Sequence, residues 1–240
     1  EGGEVGYDHA SDTILAMGAT GGGMTCVSTV HMVMESFDAP DYQRIVNGAE
    51  LVTPDGVPLV WMLRALGVSS ATRVYGPDLT LEVCARAERH GVAVGFYGGT
   101  PEILDALTER LLERFPQLRI AFAHSPPFQD EIEPIDEATA DTIRESGVGV
   151  LFVGLGCPKQ ERWMAAHRDR LACALVGVGA AFDFLAGRKA QAPGWLQRMG
   201  LEWAFRLVCE PGRLWRRYLV QNPRFAVRAL AQWWRERRVR

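Results

Sequence analysis

The sequence predicts an α/β fold, in which a mainly parallel sheet is flanked by helices, followed by a C-terminal all-helical basic appendage. Short runs rich in β-branched and aromatic residues alternate with amphipathic stretches of helical length, which is typical of βαβ units. Several runs are continuously apolar, as in "VGVLFVG", and such runs are typical of parallel strands covered on both faces. Beyond Pro193 only helical patterns follow, interrupted by Pro211 and Pro223.

Seven runs are predicted as strands, and together they favour a Rossmann-like arrangement. In chain order they are "MTCVSTVHMV", "AELVTPDG", "TRVYG", "VAVGFYGG", "RIAFAHSPP", "VGVLFVGLG" and "CALVGVGAAF". Four stretches between them are predicted as helices: "PDLTLEVCARAERHG", "TPEILDALTERLLERFP", "PIDEATADTIRESG" and "PKQERWMAAHRDRL". Thr100 and Pro101 begin the second of these helices, while Gly91 and Gly147 end the first and the third.

The composition divides the chain into an α/β unit, residues 1–192, and a helical unit, residues 193–240. Residues 211–240 contain nine Arg and one acid, so they carry a charge of +8 against −11 for the rest. Five of the seven Trp lie at or after Trp195. No apolar run reaches the roughly 18 residues of a membrane span, and no signal-peptide pattern is seen. A basic, Trp-rich segment therefore indicates an anionic surface as its partner.

The cysteines and acids favour neither a disulfide framework nor a metal site. The five Cys are scattered without C-x-x-C spacing, which predicts a reducing cytoplasm. The chain has no Asp-x-Asp and no His/Cys cluster with ligand spacing, so we expect no metal. Glu131 and Glu133 lie in an acidic run that is interpreted as a helix entry. A serine hydrolase is disfavoured because G-x-S-x-G is absent.

Four predicted strand ends turn with glycine, and ligands of parallel sheets bind at such ends. These ends are "TPDG", "FYGGT", "GLGCPKQE" and "GVGAAFD". In "GLGCPKQE", Gly154 and Gly156 precede a helix start at Pro158, where free N–H groups and Lys159 suit a phosphate. The motif is neither a Walker A loop nor G-x-G-x-x-G, and an ordinary strand–helix turn fits it equally well.

The other candidates each have a structural alternative. Asp55 is a candidate general base at a strand end, or a turn residue bonding nearby backbone. His31 is a candidate ligand contact, or a satisfied core histidine. Asp183 is a candidate contact to a sugar hydroxyl, or a cap of the following turn. Gly98 and Gly99 could contact a phosphate, a ribose or a base, although this glycine turn is a weak signal by itself.

The tail leaves three interpretations open. It is predicted as two short helices separated at Asn222–Pro223, with Arg interleaved with aromatics. Basic residues with interfacial aromatics favour a membrane surface or a diphosphate lipid. The alternatives are single-stranded nucleic acid, which also binds Arg with aromatics, and a packed hairpin with solvated Arg side chains.

With these motifs in order, the chain resembles the WecG/TagA/CpsF family of bacterial glycosyltransferases from about Val5 to Phe225. The resemblance is carried by "NGAELVTPDGVPLVWMLRALG", "FYGGTPEI", "VLFVGLGCPKQERW" and "GVGAAFDFLAGRKAQAPGWLQRMGLEWAFRLVCEPGRLWRRYLVQNPRF". One departure is that many members have Thr-x-Asn in the first strand motif, where this sequence has Val27 and Thr29.

The resemblance implies transfer of a hexosamine such as N-acetylmannosamine, or another hexose, from a UDP-sugar to an undecaprenyl-diphosphate-linked sugar. The reaction would invert the anomeric centre and need no metal or cofactor. The enzyme would lie on the inner face of the cytoplasmic membrane and could form a homo-oligomer. Residues 1–192 would bind the nucleotide-sugar and residues 193–240 the membrane and lipid acceptor.

The resemblance also implies roles for individual residues. Asp55 in "PDG" would be the base. Candidate substrate contacts are Thr29, His31, Gly98, Gly99, Gly156, Pro158, Lys159, Gln160, Glu161, Gly179 and Asp183. Candidate lipid or membrane contacts are Arg213, Arg216, Arg217, Arg224 and Arg228. The alternative from another class is a non-catalytic nucleotide- or anion-binding module with a nucleic-acid-binding tail, although no nucleic acid is expected.

Overall fold

The computed structural model describes residues 2–127 and 137–239, which contain a six-stranded, all-parallel sheet flanked by helices. The strand order is β2-β1-β6-β5-β3-β4. The strands are β1 Gly23–Ser28, β2 Leu51–Pro54, β3 Val94–Gly98, β4 Ile120–His124, β5 Val150–Gly154 and β6 Ala174–Gly177. The predicted α/β, Rossmann-like fold class is therefore confirmed.

The helices alternate with these strands and then follow one another at the C-terminal end. They are α1 Gly2–Ala19, α2 Val30–Asp38, α3 Pro40–Asn47, α4 Val57–Ala65, α5 Gly76–His90, α6 Pro101–Arg114, α7 Glu137–Glu145, α8 Lys159–His167, α9 Ala181–Leu185, α10 Gly194–Arg198, α11 Glu202–Cys209, α12 Pro211–Trp215 and α13 Gln221–Val239, with a π-helical turn at Arg216–Val220. The acidic run at Glu131 and Glu133 lies outside the described residues.

The central strand β5 is buried on both of its faces, as its continuous apolar run predicts. Val150 and Phe152 pack into the layer of α1, α5, α6 and α9, whereas Leu151 and Val153 pack into the layer of α2, α3, α7 and α8. All four are 0% exposed. The Phe152 ring stacks on Phe96 of β3 with 5.5 Å between centroids. Because side chains alternate along a strand, only an apolar run without polar interruptions can occupy this position.

Two strand predictions are wrong at particular residues. The run "TRVYG" is not a strand; it passes edge strand β2 and donates one backbone hydrogen bond, from Val74 N to Pro54 O (2.9 Å). The run "MTCVSTVHMV" ends as a strand at Ser28, because the Thr29 side chain accepts a hydrogen bond from Met32 N and caps α2. His31 consequently lies on a helix.

The predicted break at Asn222–Pro223 is also wrong. The chain is helical from Pro211 to Val239, and Pro223 lies in the first turn of α13. A proline inside a helix lacks an N–H and its ring clashes with the carbonyl four residues earlier, which here belongs to Leu219. The π-helical turn contains Leu219 and widens the backbone at that point. The helix therefore continues through the proline.

The C-terminal segment, residues 193–239, packs onto the α/β unit. Arg224 forms an ion pair with Asp38 of α2, with Nη1–Oδ2 and Nη2–Oδ1 distances of 2.8 and 2.6 Å. Phe225 packs against the buried residues Val30 and Met34 of α2. No described helix combines the length and the hydropathy needed to cross a membrane. Whether the segment is a separate domain, as predicted from residue 193, stays a prediction.

We expect Phe152→Ala to lower the free energy of unfolding by about 3–5 kcal/mol, because it leaves a cavity at the centre of the sheet. The measurement is urea unfolding followed by circular dichroism. Val68→Ala, at a side chain that is 48% exposed, is the matched control and should change stability by less than about 0.5 kcal/mol. Equal losses in the two variants would contradict this account of the core.

Candidate active site

Asp55 follows β2 at the carboxyl edge of the sheet. Its backbone N–H donates to Ser28 O at 2.8 Å, which ties the end of β2 to the end of β1. Its side chain is 17% exposed and is held by Arg73, whose Nη2 lies 3.1 Å and Nε 3.3 Å from Oδ1. Arg73 Nε also donates to the Asp55 carbonyl oxygen at 2.5 Å. Asp55 is therefore a largely covered carboxylate with a fixed orientation.

Burial raises the pKa of the Asp55 carboxyl to about 6. The positive charge of Arg73 opposes this shift, and the negative charge of Glu202 adds to it. A carboxylate with a pKa near 6 is ionised at neutral pH and is a stronger base than an exposed aspartate. These are the properties required of a general base.

Arg73 also joins Asp55 to the C-terminal segment. Its Nη2 donates to Glu202 Oε2 of α11 at 2.6 Å, and its Nη1 donates to Gln197 Oε1 of α10 at 3.4 Å. The guanidinium lies 4.5 Å from the centre of the Tyr75 ring. The site is thus built partly from the sheet edge and partly from the helices beyond residue 193.

Two pockets meet at Asp55, and their walls share Thr29, Asp55, Arg206 and Arg217. The segment pocket lies against the C-terminal helices and is lined by Thr29, Val30, His31, Asp55, Gly56, Val57, Pro58, Arg73, Gln197, Gly200, Glu202, Trp203, Arg206, Arg217, Tyr218 and Asn222. The strand-end pocket is also lined by Val27, Met32, Tyr75, Gly76, Pro77, Gly156, Cys157, Gln160, Gly177, Val178, Gly179, Ala180, Ala181, Phe184 and Arg213.

Arg206 and Arg217 bring positive charge to the junction of the two pockets. The Nε atoms of both are buried and have no hydrogen-bond partner among the described residues. Arg217 Nη2 donates to Thr29 Oγ1 at 3.3 Å, and burial lowers the pKa of Arg217. Buried guanidinium donors without a carboxylate partner are costly unless an anion binds them, and their planar fork suits phosphate oxygens.

His31 lines the segment pocket from α2. Burial, together with the charge of Arg217, lowers its pKa to about 4, so the imidazole is neutral at pH 7. Its Nδ1 lies 3.5 Å from Glu35 Oε1 without forming a hydrogen bond. A hydrogen bond with the Cys157 backbone also orients the ring.

Gln160 braces the loops after β5 and β6. Its Oε1 accepts from Gly156 N at 3.2 Å and from Gly179 N at 3.0 Å, so both N–H groups are used within the protein. Its Nε2 donates to Glu161 Oε1 at 2.7 Å, and the Tyr42 hydroxyl donates to Glu161 Oε2 at 3.0 Å. Glu161 is 0% exposed, and burial raises its pKa. Gln160 and Glu161 therefore set the shape of the strand-end pocket from behind.

The structure gathers some of the candidate residues at the two pockets and places others elsewhere. Those at the pockets are Thr29, His31, Asp55, Gly156, Gln160, Gly179, Arg213 and Arg217. Those outside the pocket walls are Gly98, Gly99, Pro158, Lys159, Glu161, Asp183, Arg216, Arg224 and Arg228. Nothing in the contacts assigns these residues to a substrate, and their roles stay predictions.

Several residues outside the pocket walls have structural contacts. Gly98 has a φ of +118° and lies so close to β5 that a Cβ would meet Gly154 O at 2.7 Å. Asp183 pairs with Lys189 at 3.3 Å. Arg228 lies over the Phe37 ring at 3.5 Å. Within the described residues, no group of three or more His, Cys, Asp or Glu is arranged to hold a metal ion.

Sequence reasoning missed Arg73, Arg206 and Glu202. Arg73 lies in the run "TRVYG", which the pattern predicts as a strand. Glu202 and Arg206 lie before the Arg-rich tail, outside the segment that the charge pattern singles out. Glu202 and Arg206 are four residues apart on α11, and this spacing predicts only a shared helix face. No local pattern indicates that the partner of Glu202 lies 129 residues earlier.

Comparison with known proteins gives two findings. The family model described as the glycosyl transferase WecG/TagA/CpsF family matches residues 4–239. A protein of Bacillus spizizenii (strain ATCC 23059 / NRRL B-14472 / W23), named N-acetylglucosaminyldiphosphoundecaprenol N-acetyl-beta-D-mannosaminyltransferase, is 32% identical over 186 residues. The match covers 77% of this chain and 70% of that protein.

We expect Gln160→Leu to lower the free energy of unfolding by about 2 kcal/mol or more, because it leaves Gly156 N, Gly179 N and Glu161 Oε1 without their partner. Urea unfolding measures the change. Gln43→Leu, the same substitution at an exposed position of α3, should change stability by less than about 0.5 kcal/mol. A loss in Gln160→Leu no larger than in this control would rule out the bracing role.

Proposed function

The chain belongs to the WecG/TagA/CpsF family of glycosyl transferases, and we propose that it transfers a hexosamine, or another hexose, from a UDP-sugar to a sugar carried on undecaprenyl diphosphate. The observation that carries the proposal is that Asp55 lies at the junction of two pockets together with the unpartnered Nε atoms of Arg206 and Arg217. One pocket suits the donor and the other suits the acceptor. The name of the Bacillus relative supports the acceptor class.

Asp55 would act as the base of a single displacement. An acceptor hydroxyl in the segment pocket gives its proton to the carboxylate, and its oxygen attacks the anomeric carbon of the donor. The bond from that carbon to the UDP oxygen breaks, and UDP leaves with the electron pair. Because the attacking oxygen enters opposite the leaving group, the anomeric centre is inverted. A base with a pKa of about 6 is deprotonated and ready at neutral pH.

The guanidinium groups at the junction would stabilise the negative charge that develops on the leaving UDP, so the proposed reaction needs no metal. Arg206 and Arg217 can each offer an Nε–H that is not used within the described part of the chain. In a buried site such donors stabilise a phosphate oxygen more strongly than water does. The guanidinium of Arg206 is held over the Phe184 ring at 5.3 Å, which limits its movement.

The lipid part of the acceptor has a candidate path along α13. An apolar groove between α2 and α13 is lined by Val33, Met34, Phe37, Met62, Phe225, Arg228, Ala229, Ala231, Gln232 and Arg235. It begins one helical turn beyond the segment pocket, since Asn222 lines that pocket and Phe225 lines the groove. Farther along α13, Val227, Leu230 and Trp234 are 68%, 65% and 59% exposed. We therefore place the protein on the inner face of the cytoplasmic membrane, with α13 on the lipid.

The test of the function is release of UDP from a panel of UDP-sugars, with N-acetylglucosaminyl diphosphate on a short prenyl chain as acceptor. Asp55→Asn should retain UDP binding, while kcat falls about 10²–10⁴-fold because the base is lost. Asp141→Asn, a surface carboxylate change on α7, is the control and should retain wild-type turnover. EDTA should not reduce the rate.

Two outcomes would refute this function. One is that no UDP-sugar supports UDP release and UDP does not bind. The other is that single-stranded DNA binds tightly at physiological salt while UDP does not, which would favour the nucleic-acid-binding module. Wild-type turnover in Asp55→Asn would remove Asp55 from the role of base.

The groove predicts a dependence on prenyl-chain length. The double change Val33→Asn and Phe37→Asn should raise KM for an acceptor with three or more isoprene units on the order of tenfold, because apolar contact is lost. KM for an acceptor with one isoprene unit should stay unchanged. Val68→Asn, at another exposed apolar residue, is the control. Equal effects on the long and the short acceptor would contradict a chain-binding groove.

A further inference from the structure

We propose that Glu202, on the C-terminal segment, is a positioning residue for Asp55 that acts by sharing the Arg73 guanidinium. The inference rests on the proposed function, in which Asp55 is the base. Glu202 would not touch the reacting atoms. Its part is to keep Arg73 from pairing fully with Asp55, and it can do so only when the segment is docked.

The shared atom is Arg73 Nη2. It lies 2.6 Å from Glu202 Oε2 and 3.1 Å from Asp55 Oδ1, so the shorter contact belongs to Glu202. Nε and Nη2 approach the same oxygen of Asp55, at 3.3 and 3.1 Å, instead of forming the two parallel bonds of an Arg–carboxylate fork. Glu202 itself is 14% exposed on its side chain, so water screens this competition weakly.

The charges around Asp55 set the direction of the effect. Arg73 and Arg206 lower the pKa of Asp55, whereas Glu202 acts with burial to raise it to about 6. Arg217 and His31 face the same pocket, and His31 is neutral at pH 7 because its own pKa is lowered to about 4. Without the charge of Glu202, Arg73 would pair more closely with Asp55, and the pKa of Asp55 would fall.

A lower pKa has two consequences for a general base. The base must be deprotonated, so the rise of kcat with pH would move to lower pH. The carboxylate would also be a weaker proton acceptor, so kcat at neutral pH would fall. Docking of the C-terminal segment would therefore give Asp55 its working basicity as well as completing the wall of the segment pocket.

The experiment compares wild type with Glu202→Gln, which keeps the shape of the side chain and removes its charge. The ¹³C-carboxyl resonance of Asp55 is titrated by NMR, and kcat is measured from pH 4.5 to 8.5. We expect the Asp55 midpoint and the acid limb of kcat to fall together, on the order of one pH unit. Glu202→Asp should restore part of the shift. Glu210→Gln is the control. Glu210 pairs with Lys189 and Arg213 and not with Arg73, so this change should leave the Asp55 midpoint unchanged.

Docking is followed by the fluorescence of Trp203, which lies next to Glu202. If the segment undocks in Glu202→Gln, the second change Gln197→Glu returns a carboxylate to Arg73 from α10, since Gln197 Oε1 already lies 3.4 Å from Nη1. If docking is restored and the Asp55 midpoint returns toward the wild-type value, the inference is supported. If docking is restored and the Asp55 midpoint stays at its shifted value, the inference is overturned.

An Asp55 midpoint that is unchanged in docked Glu202→Gln would also overturn the inference. The NMR titration needs no turnover, so it decides the role of Glu202 even in a protein that releases no UDP. If the NMR midpoint moves and the acid limb of kcat does not follow, Glu202 still controls the Asp55 carboxyl, and it is the proposed base that fails.

Discussion

The ion pairs of Arg73 join the two parts of the molecule on which the site depends. Its side chain is 21% exposed and lies between two carboxylates from distant parts of the chain, Asp55 and Glu202. Two partly buried carboxylates near each other repel, and a guanidinium between them offsets that repulsion. Arg73 balances both carboxylates, so docking of the C-terminal segment on the sheet edge gives Glu202 its partner beside the Arg73–Asp55 pair.

This arrangement leaves the junction of the two pockets with an excess of positive charge. Arg73 has its carboxylates, but Arg206 and Arg217 each keep a buried Nε without a partner in the described structure. His31 adds no charge at neutral pH, because burial and Arg217 keep it neutral. The junction is therefore suited to bind an anion.

In the "PKQE" motif, Gln160 and Glu161 determine the shape of the strand-end pocket. The start of a helix is typical of an anion-binding site. Here Gln160 accepts the hydrogen bonds of Gly156 N and Gly179 N, and Glu161 is buried and accepts a hydrogen bond from the Tyr42 hydroxyl. A buried polar chain of this kind holds two loops at a fixed separation because every member would lose a bond if the loops moved apart. The strand-end pocket keeps its form for that reason.

The sequence by itself determined the parallel sheet, the helices around it and the edge at which the candidate site lies. The signals for these features are local: the apolar run of β5, the cap at Thr100 with Pro101, and the glycine turns after the strands. Asp55, Gly156 and Gly179 could be assigned to the strand ends because parallel strands all end at the same edge.

Only the tertiary structure decided which side chains meet there. Arg73 is 18 residues from Asp55 and 129 from Glu202, and Arg217 is 188 residues from Thr29. Local propensity extends over a few residues, whereas these contacts depend on how the C-terminal segment packs onto the sheet. The pKa of Asp55 and the unpartnered donors of Arg206 and Arg217 follow from burial, which becomes defined when that packing forms.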